Sequence, residues 1–227
     1  MECGAGGERK RPGEGPRSPE QLCAAYWYPL YLFARRQGHE AAASEDLTQE
    51  FFARLLQRND LAEVGPERGR FRSFLMASFK HLLINEHHRQ RTEKRGGHII
   101  LVSLDREEAE TRYRLEPTDP MTPETLFERR WALTVLERAI ERVREEYAVS
   151  EKADLFEELK EFLSHQKSLP HAAIAARHGI SVGAVGVTIH RLRQRYAEVL
   201  REEISHTVSV PEDIEDEVRH LIAAVGR

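Results

Sequence analysis

Cysteine and long hydrophobic runs are both scarce in this 227-residue sequence. Its two cysteines are Cys3, near a Gly-rich start, and Cys23, inside a helical pattern, which excludes a disulfide framework or a cysteine-based zinc site. The apolar runs are too short for a membrane span, and no charged-then-apolar leader opens the chain. We therefore expect a cytoplasmic protein that has no membrane partner.

Motifs for catalysis and cofactor binding are also missing from the sequence. It contains no phosphate-binding loop and no local Ser/His/Asp or paired-carboxylate arrangement. The adjacent His87 and His88 would point about 100° apart on a helix, and no carboxylate motif accompanies them. The sequence therefore predicts no enzyme activity, no metal site and no cofactor.

Charge is unevenly distributed along the chain. The formal net charge is −4, yet basic residues crowd residues 68–95 and again 177–201. Acid-rich segments lie at 105–124, 137–161 and 202–217. Because the placement of cations matters more than net charge for binding phosphates, two separate contacts with DNA are predicted.

Residues 170–196 have the pattern of two short helices joined by a tight turn. Pro170 suits the first position of a helix that ends before Gly179, a residue that readily takes the left-handed conformation. Ser181 can cap the next helix, whose apolar residues recur at steps of three and four. One face of that second helix must be buried.

The opposite face of this helix carries small and hydrogen-bonding side chains bordered by cations. A helix enters the DNA major groove when its outward residues are slim near the tip and can donate to base edges. This pattern predicts a helix-turn-helix, although a plain helical hairpin with a solvated arginine face is the alternative. The candidate DNA-binding residues are Ser181, Gly183, Ala184, Val187, His190, Arg191, Arg193, Gln194 and Arg195.

Helical patterns also dominate the rest of the chain. Pro29 is expected to kink or split a first helix, and Ser44 is expected to cap a second, whose polar stripe is more typical of a solvated face than of a docking surface. A third pattern, 70–91, interleaves cations with aromatics, as in a surface that holds an unstacked strand, unless its rings are all core. We predict an all-α fold of two small helical domains joined by a flexible linker. The expected boundaries are a disordered tail at 1–18, a first domain at 19–95, the linker at 96–121, a second domain at 122–201 and a C-terminal helical extension at 202–227.

Taken together, these stretches resemble bacterial RNA polymerase sigma factors of the extracytoplasmic-function (ECF) type. The matching stretches are SEDLTQEFFARLLQR, GRFRSFLMASFKHLLINEHHRQ with KRGG, FERRWALTVLERAI and IAARHGISVGAVGVTIHRLRQRY. The combination is more specific than the helix-turn-helix pattern, which many regulators share. The resemblance implies a promoter-specificity subunit that directs transcription initiation.

The resemblance also implies roles for particular residues. The helix-turn-helix would read the minus-thirty-five element as duplex DNA. Contacts to the minus-ten element would come from Arg70, Arg72, Lys80, Asn85, His88 and Arg89. The beta-prime subunit of core polymerase would be bound by Asp46, Gln49, Glu50, Phe51 and Arg54. An anti-sigma factor is a further partner that the resemblance suggests. The alternative is a stand-alone, two-domain helix-turn-helix regulator that binds duplex DNA without polymerase.

Overall fold

The computed structural model describes residues 19–57, 71–90, 106–115, 121–164, 169–205, 207–208 and 210–226, with side chains except at 19–24, 87–90 and 106–108. Within these ranges the chain is all-α, as predicted, and contains no strand. The helices are α1 (Pro19–Arg36), α2 (Ala41–Gln57), α3 (Phe71–Gln90), α4 (Arg106–Leu115), α5 (Pro123–Val149), α6 (Ala153–Leu159), α7 (His171–His178), α8 (Val182–Ser205) and α9 (Ile214–Val225).

The longest helix, α5, lies at the centre of the packing. It contacts α1 as well as α6, α8 and α9. Its fully or almost fully buried residues recur every fourth position and form a continuous apolar stripe: Phe127, Trp131, Val135, Ala139 and Val143. Because helices on several sides bury this one stripe, α5 connects the N-terminal and C-terminal halves of the chain.

Aromatic rings build the N-terminal half of the core. Trp27 and Tyr31 stack within α1, with ring centroids 5.3 Å apart. Phe79 of α3 meets Phe51 of α2 edge-on at 5.3 Å and Phe33 of α1 at 6.3 Å. Edge-to-face contacts of this kind add to the gain from apolar burial, so α1, α2 and α3 are held in one arrangement.

The N-terminal and C-terminal parts of the described chain pack against each other. α1 packs on α5, and the buried apolar residues form one cluster from α1 through α5 to α8 and α9. Within the expected linker, residues 106–115 form α4, whose Glu110 accepts hydrogen bonds from Tyr31 (2.9 Å) and Arg35 (3.1 Å) of α1. The helix in this segment was missed because its contacts to α1 are long-range. The tail at 1–18 and most of the remaining linker lie outside the described residues, and the domain boundaries stay a prediction.

Most of the helix ends predicted from capping residues are confirmed. Thr122 caps α5 by accepting from the Thr125 amide at 3.2 Å, and Gly179 ends α7 with a positive φ of 65°. One expectation was wrong. Ser44 does not cap α2, because the helix begins at Ala41 and buries Ser44 in its first turn. Of the two alternatives expected at Pro29, the split does not occur, because α1 runs continuously through Pro29, and the kink stays a prediction.

Membrane-spanning potential is low in the described part of the chain. None of its helices taken singly has the length and hydropathy to cross a bilayer, whereas α7 and α8 meet that criterion only as a pair bent by 102°.

Candidate nucleic-acid interface

The α7–α8 pair has the interhelical angle and the turn of a helix-turn-helix. The two helices are bent by 102° across a three-residue break, within the range of about 90–120° that such motifs have. Gly179 makes the turn, and the Ser181 hydroxyl accepts from the Ala184 amide at 3.1 Å to cap α8. One side of α8 is buried against the protein through its apolar residues Val185, Ile189 and Leu192. This packing fixes which face of α8 points outward.

The outward face of α8 carries five of the predicted DNA-binding residues. Gly183, Val187, His190, Arg191 and Gln194 are all exposed, and Val187 exposes 51% of its surface. A side chain added at Gly186 would meet nothing within 4 Å, so the neighbouring surface is open. The face therefore offers hydrogen-bond donors, one cation and one aliphatic group at a shallow, accessible site.

The flanking arginines of α8 are engaged within the protein. Arg193 is exposed, but its guanidinium donates two hydrogen bonds, at 2.9 and 3.1 Å, to the Phe162 carbonyl. Arg195 pairs with Glu146 at 2.7 Å, Glu198 at 3.2 Å and Glu202 at 3.3 Å. The hydrogen bond with Glu146 raises the pKa of Arg195. Arg195 therefore stays charged, and the neighbouring carboxylates offset its charge. Arg191 is thus the cation of the outward face that the structure leaves most available.

The cations of α3 are placed differently from those of α8. Arg72, expected to contact the minus-ten element, is only 5% exposed and pairs with Glu217 of α9 and Glu128 of α5. Lys80 pairs with Glu124 at 2.6 Å. Asn85 is exposed beside a groove of about 290 Å³ between α2 and α3. Arg70 lies outside the described residues, as do the side chains of His88 and Arg89.

The predicted polymerase-binding set divides between two faces of α2. Asp46 and Arg54 are exposed and Glu50, which pairs with Arg54, is partly exposed, so the three form a stripe at steps of four. Phe51 is 5% exposed and Gln49 9%. This differs from the expected set, since Phe51 packs on Phe52 and Phe79 and is almost fully buried. We name Asp46, Glu50 and Arg54 the α2 stripe.

A protein-family model described as "ECF sigma factor" matches residues 17–201. The chain belongs to the ECF sigma factor family. As an ECF sigma factor it has a role in transcription initiation, and the family is one of transcription factors and not of enzymes. Core RNA polymerase and promoter DNA are the partners that membership implies. No curated protein and no solved structure matches the chain.

The family match ends before α9, where sequence reasoning missed contacts that bear on the site. Glu217 is fully buried although glutamate is seldom fully buried. The local signal was an acid on the apolar side of α9, between Ile214 and Leu221. An acid at a core-facing helix position predicts a cationic partner, and in this ECF sigma factor that partner is Arg72.

Acidification is expected to destabilise this ECF sigma factor through glutamates paired with cations. The hydrogen bond from Lys80 lowers the pKa of Glu124 below its ordinary value of 4.5. Burial alone would raise the pKa of Glu202, but the hydrogen bond from Arg142 and the charge of Arg195 outweigh it, and the pKa is lowered. Carboxylates with lowered pKa values bind protons more readily in the unfolded chain, so their contribution is complete above the ordinary pKa and lost as the pH falls through the folded value.

Thermal melts followed by circular dichroism between about pH 6 and pH 3 would measure this effect. We expect the melting temperature to decrease as the pH is lowered, and this decrease to be smaller in Glu202→Gln. A variant profile parallel to that of the unmodified chain would contradict the assignment to Glu202.

Proposed function

We propose that this ECF sigma factor reads a duplex promoter element with the outward face of α8, engages an unstacked promoter strand with α3 and docks on core polymerase through the α2 stripe. The observation that carries the proposal is the exposed face of α8, set at 102° to α7 above a buried apolar side. Arg191, His190 and Gln194 supply hydrogen-bonding groups for base edges, and Val187 suits a thymine methyl. In the family's terms this face would read the minus-thirty-five element.

The proposal for α3 is supported by its sequence and by its neighbours. The partly buried Phe74 and the exposed His81 and Asn85 line the same groove between α2 and α3. Aromatic surfaces beside donors can hold unstacked bases in a sequence-tolerant way. Arg72 and Lys80 would add phosphate contacts when released from their carboxylate partners. This end of the chain would engage the minus-ten element.

The proposal for α2 uses only the residues that face solvent. The α2 stripe presents two carboxylates and one guanidinium in alternation with buried apolar residues. A charged stripe on a rigid helix suits a complementary charged helix on a partner. The beta-prime subunit of core polymerase is the partner proposed for this surface.

The role of α8 is tested by Arg191→Ala in the full chain with reconstituted polymerase. A site is first selected from random duplex DNA with the holoenzyme. We expect Arg191→Ala to weaken binding to that site about 10- to 100-fold, because a cation at a base edge is worth about 1–3 kcal/mol. Arg201→Ala, which removes an exposed arginine of the same helix that pairs with Glu215, is the matched control and should change affinity little.

The α2 stripe and the need for polymerase are tested in parallel. The double variant Asp46→Ala with Glu50→Ala should lose core-polymerase binding, whereas Glu141→Ala, an exposed acid of α5, should not.

If Arg191→Ala and Arg201→Ala bind the selected site alike, the assignment of α8 is wrong. Tight specific binding to duplex DNA without polymerase would favour a stand-alone regulator.

A further inference from the structure

The C-terminal helix α9 lies against the helix that is proposed to engage the promoter strand. Arg72 Nε donates to Glu217 Oε1 at 2.6 Å, and Arg72 Nη1 donates to Glu128 Oε1 at 3.1 Å. The segment before α9 also reaches α3, since the Phe71 amide donates to the Thr207 carbonyl at 3.2 Å. Two contacts thus join the start of α3 to the C-terminal extension.

These contacts leave Arg72 with almost no access to solvent. The side chain of Glu217 is fully buried and that of Arg72 is 6% exposed. The guanidinium also lies 5.4 Å from the centre of the Trp131 ring. A guanidinium has donors and no acceptor, and its fork fits a carboxylate or a phosphate in the same way. Glu217 therefore occupies the position in which a strand phosphate would have to bind Arg72.

A second cation, at the middle of α3, is also paired with a carboxylate, although this carboxylate belongs to α5 and not to α9. Lys80 Nζ lies 2.6 Å from Glu124 Oε1, at the beginning of α5. Both cations of α3 whose side chains the structure describes are consequently paired with carboxylates of the C-terminal half. Arg72 cannot hold the buried Glu217 carboxylate and a phosphate with the same donors, so this packing and phosphate binding by Arg72 exclude each other.

From this geometry we infer that α9 is an intramolecular cover for the strand-binding surface of α3, with Glu217 in the place of a phosphate. The inference rests on the proposed role of α3. The cover belongs to this chain and not to the matched family region, because that region ends at residue 201 and α9 begins at Ile214. Strand binding then requires α9 to leave α3, and the apparent affinity is reduced by the fraction of molecules in which it has left.

The test measures the affinity of the full chain for a fluorescent single-stranded oligonucleotide, the nontemplate strand of a promoter selected with the holoenzyme. Glu217→Gln removes the charge that holds Arg72 and should tighten binding by about tenfold or more. Asp216→Asn is the matched control, because it removes the same charge from the neighbouring position, where Asp216 pairs with Arg219 of its own helix. The control should tighten binding less than about twofold, the share expected from net charge alone.

A second variant and a second readout guard against misfolding. Glu128→Gln weakens the partly exposed half of the cluster and should raise affinity by a smaller factor. Hydrogen exchange at the Phe71 amide, which Thr207 protects in the closed arrangement, should speed up in both variants and on adding the oligonucleotide to the unmodified chain.

The outcomes separate the cover from the proposed function. Equal strand affinity in the unmodified chain, Glu217→Gln and Glu128→Gln would overturn the cover while leaving strand binding intact. Absence of strand binding in every variant, with and without core polymerase, would overturn the proposed role of α3 and the cover with it. An equal gain in strand affinity in Asp216→Asn would show that the effect comes from net charge, and it would also overturn the cover.

Discussion

Replacing Trp131 with alanine should lower the free energy of unfolding by about 3–5 kcal/mol. The indole is fully buried in the N-terminal third of α5, the helix that contacts α1, α8 and α9. It also lies against the Arg72 guanidinium and the His220 ring, the latter at 6.4 Å. Deleting it removes apolar burial and leaves a cavity at the point where α3, α5 and α9 meet. The lost burial and the cavity both lower the free energy of unfolding.

Chemical denaturation followed by far-ultraviolet circular dichroism measures this loss. In a thermal melt, the melting temperature should fall by about 6–20 °C for a chain of this size. Val149→Ala is the control on the same helix, because that side chain is 88% exposed and its truncation should cost less than about 0.5 kcal/mol. A loss in Trp131→Ala as small as that in the control would show that α5 is not the centre of the core.

Replacing Glu203 with alanine should cost about 3 kcal/mol, the lower end of the range for breaking a buried ion pair. Its side chain is 3% exposed and lies 2.9 Å from Arg142 and 3.5 Å from Arg138, both on α5. Burial and the charge of Arg142 already lower the pKa of Arg138, so the two cations repel each other. Without Glu203, Arg138 loses its neighbouring carboxylate, Arg142 keeps only Glu202, and α8 loses a buried connection to α5.

The adjacent Glu202 provides the matched control for this prediction. Its side chain is 39% exposed and pairs with Arg142 at 2.6 Å, so Glu202→Ala should cost less than about 1 kcal/mol at neutral pH. Urea unfolding of both variants gives the comparison. Equal losses in the two variants would contradict the assignment of the buried connection to Glu203.

Local chemistry made much of the fold predictable from the sequence. Thr122, Gly179 and Ser181 act through their own backbone or through residues within three positions, so the sequence around them contains most of what decides their conformation. The outward face of α8 was predictable for a related reason. One apolar side of a helix must be buried, so the opposite side, with His190 and Arg191, follows from the helical period alone.

Long-range pairing explains the errors. Whether Arg72 faces solvent depends on Glu217, which is 145 positions away, and no local pattern brings the two together. Phe51 was expected at an interface because its helix resembled a docking helix, but two aromatic neighbours bury it. Likewise, α4 owes its place to Tyr31 and Arg35 of α1. In each case the deciding contact joins elements whose packing the sequence does not reveal.

The different exposure of α2 and α3 has a consequence for the order of assembly. The α2 stripe faces solvent in the same conformation in which Arg72 is buried. The proposed docking of core polymerase on α2 would therefore require no prior rearrangement, whereas access to Arg72 does. A chain built in this way can be recruited first and engage an unstacked strand through α3 only afterwards, which would spare Arg72 unproductive encounters with single strands while the chain diffuses alone.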